Sequence, residues 1–229
     1  MENNTGGEST PRRREQLMEL FDALFKRYGA LNWWPADTPF EVCVGAILTQ
    51  NTNWGNVEKA IANLKREGLL SVDAIRDTQP ERLAELIRPS GFFNVKTVRL
   101  KGFVEWLVTR YGSLDAMFAG EWHPLRDELV RVPGIGPETC DSILLYAGQK
   151  PSFVVDAYTR RLFSRLGLVR EKDDYHEVRA LFMEHLPHDV ALFNEYHAQI
   201  VEHCKRHCRK TPACDGCPLR AACCRATPI

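Results

Sequence analysis

Two glycines, a carboxylate, a cluster of tryptophans and four closely spaced thiols stand where their types and spacing could do chemistry. Leu129–Val130–Arg131–Val132–Pro133–Gly134–Ile135–Gly136–Pro137–Glu138–Thr139 reads as an apolar approach, a tight turn and a helix start. Proline suits the first helical position, where its missing N–H costs nothing and its φ is preset. Gly134 and Gly136 let the backbone turn with positive φ and leave its N–H groups uncovered. Bare N–H groups beside a helix N-terminus make a site for a phosphate. With Val132 and Thr139 on either side, the stretch is either a helix–hairpin–helix that holds a nucleic-acid backbone without reading bases, or a plain αα-hairpin. A dinucleotide loop fits less well, because no β-rich strand precedes the turn and a third glycine is missing.

Further on, apolar Phe153, Val154 and Val155 lead into Asp156, which opens a helix. An N-cap aspartate contributes ~1 kcal/mol, and a capped carboxylate is also one held still for chemistry. Asn32–Trp33–Trp34–Pro35 is a loop whose adjacent tryptophans cannot both face one core. It is either packing at a seam or a stacking wall for a base turned out of its duplex. Six of the eight cysteines lie between Cys204 and Cys224. That crowding fits a metal site in a reducing compartment better than a disulfide framework. Cys208, Cys214, Cys217 and Cys223 suit zinc or an iron–sulfur cluster, and spacing alone does not separate the two.

The elements that must carry these groups are helices. Leu17, Leu20, Phe21, Leu24 and Phe25 repeat at helical spacing over residues 13–28, and Phe40–Thr49 is an apolar, buried helix. Residues 56–65, 80–87 and 94–111 read as amphipathic helices, and 138–147, 157–166, 175–185 and 189–203 continue the pattern. Glu195, His197 and His203 stand alone on the last, apolar helix and read as satisfied buried partners. No period-2 strand is convincing, so the expected class is all-α. The chain has 229 residues, 30 basic and 30 acidic, which argues against a histone-like polyanion binder and leaves room for a local basic face. Nothing resembles a membrane span or a signal peptide. Residues 1–10 are rich in Gly, Asn, Ser and Glu and read as a disordered tail.

The hairpin followed by the Val-Val-Asp step resembles the endonuclease III branch of the helix–hairpin–helix (HhH-GPD) DNA glycosylases, over nearly the whole chain after residue 10. The resemblance implies that Asp156 is the catalytic carboxylate. It implies that Gln50, in Thr49–Gln50–Asn51, enters the duplex where the damaged base leaves. It also implies that the loop before Asn94 and Lys96 pushes against the lesion, with Lys96 meeting a phosphate. Trp33–Trp34–Pro35 looks like the monofunctional 3-methyladenine branch, where these residues line the base pocket, and Trp54 matches an aromatic that stacks on the base there. The tail is similar to the family's [4Fe–4S] loop, with Cys208, Cys214, Cys217 and Cys223 as ligands. The first gap is a residue shorter than the family's, so Cys204 and Cys224 stand as alternates.

Glu138 is the sharpest departure. Bifunctional members carry a lysine there, whose amine attacks the sugar and allows strand cleavage. The expectation is therefore a monofunctional glycosylase that flips out alkylated, 3-methyladenine-type bases and leaves an abasic site, with Asp156 and Glu138 as its catalytic residues. The alternatives are an endonuclease III-like glycosylase and lyase for oxidised pyrimidines, and a DNA-binding module without catalysis. The expected architecture is a six-helix barrel with the hairpin (residues 31–149) and a cluster domain built from residues 11–30 and 150–229, with a cleft between. The expected partner is double-stranded DNA, bound by a monomer in the bacterial cytoplasm at the nucleoid.

Overall fold

The computed structural model describes residues 9–31 and 33–226. Its regular structure is helical, with no strand among the described residues. The all-α expectation therefore holds. No helix among them is long and apolar enough to cross a membrane. The chain forms two compact units, one spanning Trp34–Lys150 and the other the segments up to Trp33 and from Pro151 onward. Most of the expected tail falls outside the described residues, but Ser9 and Thr10 already belong to the first helix.

That helix, α1 (Ser9–Tyr28), belongs to the split unit. The other unit holds α2 (Pro39–Leu48), α3 (Trp54–Arg66), α4 (Val72–Asp77), α5 (Pro80–Leu86), α6 (Phe93–Tyr111), α7 (Leu114–Ala119), α8 (Trp122–Leu129) and α9 (Pro137–Ser142). Its helix starts are written in the sequence. Side chains of Thr38, Asn53, Ser71 and Ser113 accept from the backbone N–H three residues on, at 3.1–3.2 Å. Pro39, Pro80 and Pro137 sit at first helical positions, where no backbone donor is lost. Helix α2 is buried along nearly its whole length, as its unbroken apolar sequence requires.

Helix α9 does not end at Ser142. It widens into a π-helical turn, Ile143–Ala147, which Gly148 closes by donating to the Ile143 carbonyl at 3.0 Å. Gly148 is required for space: a Cβ there would lie 2.6 Å from the Phe118 ring.

The split unit is completed by α10 (Ala157–Arg165), α11 (Tyr175–Met183), α12 (Val190–Arg206) and α13 (Arg220–Ala226). Leu17, Leu20 and Leu24 form the buried stripe of α1, and Tyr196 of α12 donates to the Leu17 carbonyl at 2.7 Å. Phe153, Phe163 and Phe182 surround Tyr196, with Phe153 stacked on Phe182 at 3.8 Å and edge-on to Phe193 at 5.3 Å. The strand-like step Phe153–Val155 is thus anchored in the core of this unit, and it delivers Asp156 from a fixed point.

Candidate functional site

The hairpin runs from α8 into α9. Val132 and Ile135 are buried under the turn, and the Ile135 N–H closes it on the Val132 carbonyl at 2.9 Å. The two glycines differ from each other, and only Gly134 has the expected positive φ. Gly134 has φ +89°, a conformation that favours glycine, whereas Gly136 is the N-cap of α9 with φ −80°. A Cβ on Gly136 would meet nothing within 4 Å. The two helices are clamped by Arg126 of α8, which donates from Nε and Nη2 to the two carboxylate oxygens of fully buried Asp141 at 2.7 and 2.9 Å. Thr139 is buried and turned inward, where its hydroxyl accepts from Gln50. Glu138 is exposed in the first turn of α9, where a carboxylate complements the helix dipole.

The expected aromatic pocket is rearranged. Trp34 meets Trp54 edge-on at 4.9 Å and Tyr146 at 5.0 Å. Gly45 lets the backbone of α2 come close: a Cβ there would stand 3.4 Å from Trp34 Cζ2 and 3.5 Å from Trp54 Cη2. Trp33 belongs to the other unit, where Lys205 Nζ lies 5.4 Å from its ring centroid. Pro35 is exposed. Tyr146 was missed by sequence reasoning, since it lies in an apolar run that reads as core. It is presented by the π-helical turn, a distortion frequent at functional sites.

Asp156 is the N-cap of α10. Its Oδ1 accepts from the Thr159 N–H at 2.8 Å and the Thr159 hydroxyl at 3.0 Å. Its Oδ2 lies 3.6 Å from Nε2 of buried His197 on α12. Burial pushes the carboxyl up, but nearby His197 and the two donors of Thr159 outweigh it and hold Asp156 below its usual range. An ionised, immobile carboxylate at this point can stabilise developing positive charge. Of the other lone polar residues on α12, Glu195 accepts from the Leu31 N–H and from Gln199, and His203 meets the Tyr28 hydroxyl.

The stretch before α6 also departs from expectation. Gly91 and Phe92 both have positive φ, +68° and +46°. This unusual backbone holds Phe92 out, 68% exposed, beside exposed Asn94 and Val95. Lys96 does not face solvent. It is 1% exposed, and its Nζ donates to the Leu48 carbonyl at 2.8 Å and the Ser90 carbonyl at 2.7 Å. Its spacing to Leu100, Phe103 and Leu107, all buried, was the signal that places it on the inner face. Lys96 therefore ties the end of α2 to the turn before α6, a different task from meeting a phosphate.

Burial, with Arg99 nearby, pulls the Lys96 ammonium down from 10.5 to about 8. Above pH 8 the unfolded chain then holds more protons than the folded one. Stability should rise as pH climbs from 8 toward 10.5. Urea unfolding of wild type and Lys96→Met across this window checks it; a difference between the two that stays flat with pH rejects it.

At the tail, Cys204 and Cys208 are buried, Cys217 and Cys223 half-buried and Cys214 exposed. The side chain of Cys224 lies outside the described residues. The Cys204 thiol donates to the Tyr158 carbonyl at 3.6 Å, and Cys204 and the Arg165 guanidinium beside Cys208 hold the Cys208 thiol below its ordinary range. Arg165 Nη1 lies 3.2 Å from Cys208 Sγ, and Arg161 Nε donates to the Cys208 carbonyl at 2.7 Å. His203 Nε2 is 3.7 Å from Cys217 Sγ. No group of three or more His, Cys, Asp or Glu side chains is gathered closely enough to hold a metal ion among the described residues.

Known proteins are similar in sequence and architecture. The HhH-GPD superfamily base excision DNA repair proteins match over residues 44–188. A Methanocaldococcus jannaschii protein bearing the name of a DNA repair glycosylase is 50% identical over 211 residues, which is 91% of this chain and 96% of its own. Endonuclease III of Thermotoga maritima is 31% identical over 186 residues, 81% of this chain and 82% of its own. The solved 3-methyladenine DNA glycosylase of H. pylori, bound to 1,N6-ethenoadenine, superposes with a TM-score of 0.73 at 30% identity. It covers 85% of this chain and 97% of that one.

Proposed function

The chain belongs to the HhH-GPD superfamily of base excision DNA repair proteins and is a DNA glycosylase, and on that premise we propose that it hydrolyses the N-glycosidic bond of alkylated purines of the 3-methyladenine type and stops at the abasic site. The observation that carries this reading is the acid at the first turn of α9. Glu138 stands where a lyase of this family carries its amine, and a carboxylate cannot form the Schiff base that strand cleavage needs. Lys96 does not replace that amine, because two carbonyls hold it inside the fold.

In this reading the C1′–N bond breaks with its electron pair leaving on the cationic purine, which departs neutral. Ionised Asp156 stabilises the oxocarbenium-like sugar and receives the proton of the water that bonds to C1′. The electron-rich faces of Trp34, Trp54 and Tyr146 suit a cationic base, a cation–π contribution of ~1–2 kcal/mol. Phe92 and the hairpin N–H groups are the parts that meet the duplex. The location remains the one expected from sequence, at the DNA.

The tail fits a cluster by its donor set. Four thiols lie within 16 residues of chain, and Arg165 places a cation against Cys208 Sγ, which a thiolate ligand needs. Cys208, Cys214, Cys217 and Cys223 would hold a [4Fe–4S] cluster, with Cys204 and Cys224 as alternates. Its task would be to cross-link a loop too small to own a core.

A second reading, a bifunctional enzyme for oxidised pyrimidines, is favoured by the 31% identity to an endonuclease III. Base release from duplexes containing 3-methyladenine or thymine glycol separates the two, with gels run before and after alkali and borohydride added to trap a Schiff base. Free 3-methyladenine, strands nicked only by alkali and no trapped adduct are expected. Thymine glycol release with spontaneous nicking and trapping overturns the proposal.

A further inference from the structure

The hairpin and α6 share one hydrogen-bonding centre, the side-chain amide of Gln50. Its Nε2 donates to the Gly134 carbonyl and to Thr139 Oγ1, both at 2.9 Å. Its Oε1 accepts from Arg99 Nη1. The partners fix which way the amide points. A backbone carbonyl only accepts and a guanidinium only donates, so Nε2 must face Gly134 and Oε1 must face Arg99.

Arg99 does more than orient the amide. Its aliphatic stem lies against the turn, so that a Cβ on Gly134 would come within 2.3 Å of Arg99 Cγ and 2.8 Å of Cδ. One arginine thus walls the turn from below and sets the glutamine that grips it from the side. Arg99 sits on α6 and Gln50 in the turn that follows α2, and the two are tied together because Lys96, one turn before Arg99, holds the carbonyl of Leu48, two residues before Gln50.

We propose that Arg99 is a positioning residue for the DNA-holding hairpin, acting through Gln50 to fix the Gly134–Thr139 turn in the shape that presents its backbone N–H groups to a phosphate. This rests on the reading of the hairpin as the element that holds DNA. Gln50 is then a brace in the free protein. To enter a duplex it would exchange three hydrogen bonds, one of them charge-assisted.

The test is binding to an undamaged duplex by fluorescence anisotropy at several salt concentrations, for wild type, R99A, Q50A, R99A/Q50A and R99K. R99A and Q50A should each weaken binding by about tenfold, the scale of a lost charge-assisted bond. The double variant should be no weaker than the worse single one, since both act on one turn. The salt slope should be unchanged in R99A, because no phosphate contact is lost. A slope smaller by about one unit, the mark of a direct phosphate contact, overturns the proposal. So do single losses that multiply in the double variant, and so does R99A binding as wild type does. R99K keeps the stem and one donor, and should bind between wild type and R99A. If R99A unfolds, the comparison of R99K with Q50A decides by the same slope. A second readout needs no DNA: the Gln50 side-chain amide protons should exchange slowly in wild type and fast in R99K and R99A. Wild-type protein that fails to bind any duplex overturns the reading of the hairpin itself. Wild-type binding that R99A matches overturns the role of Arg99 alone.

Discussion

Asp156→Asn is expected to lower base release about a thousandfold, the scale of one electrostatic or general-base group at a reacting centre, while leaving the fold and duplex affinity intact. The two effects separate because the side chain has two jobs. Oδ1 caps α10 through Thr159, and the second oxygen faces His197. Asparagine is as good an N-cap as aspartate, so the melting temperature should hold. What asparagine lacks is the charge. Asp156→Ala removes both and should cost ~1 kcal/mol of stability in addition. Single-turnover base release with a damaged duplex, anisotropy with an undamaged one and a thermal melt of each variant make the comparison. Equal turnover by wild type and Asp156→Asn would remove Asp156 from the chemistry. Because the native environment keeps this carboxyl charged below its ordinary range near 3.8, its contribution to stability is present at neutral pH and fades only in stronger acid.

Asp141→Ala is expected to have the largest effect on stability. Asp141 is fully buried, and its two oxygens receive both arms of Arg126, itself mostly covered. Truncating the acid leaves a guanidinium in a low-dielectric place without its carboxylate, which costs about 3–5 kcal/mol. For a protein of this size that is a fall in Tm of roughly 10 °C. Replacing both residues by apolar ones, Arg126→Leu with Asp141→Leu, should recover much of the loss, because the desolvation of two charges disappears along with their attraction. A double variant no more stable than Asp141→Ala would mean that the pair is needed for its geometry rather than its charge balance. Since the pair joins the two helices of the hairpin, duplex binding should weaken in Asp141→Ala even below its melting range.

Much of this was legible in the chain because it is written locally. Asp156 starts its helix by a short-range bond to Thr159. The Gly134 turn declares itself through a residue that tolerates positive φ. The adjacent tryptophans have different neighbours, Lys205 for Trp33 and Trp54 with Tyr146 for Trp34. The losses came where long-range packing decides. The resemblance sends Lys96 to a phosphate, although Leu100, Phe103 and Leu107 mark its face as the inner one. Gln50 and Thr139 were read as reaching outward, and only the folded hairpin shows that they bond to each other. Gly136 was given a positive φ that its N-cap position does not use. Helix α4 is too short for periodicity to reveal, and Tyr146 could not be found because a π-helical turn leaves no mark in the spacing of apolar residues.

If Trp34, Trp54 and Tyr146 take the base, that turn makes chain length, and not only side-chain identity, a determinant of what they accept. Residues 143–147 carry one more residue per turn than an α-helix needs, and Tyr146 reaches Trp34 from that register. Deleting a single residue there would let the turn relax to α-helical winding and change the register in which Tyr146 is presented, moving the phenol ring relative to the indole without altering any of the three aromatic side chains. An insertion or deletion of one codon could thus retune base preference in a lineage in one step, and an ungapped comparison of lining residues between relatives would not see it.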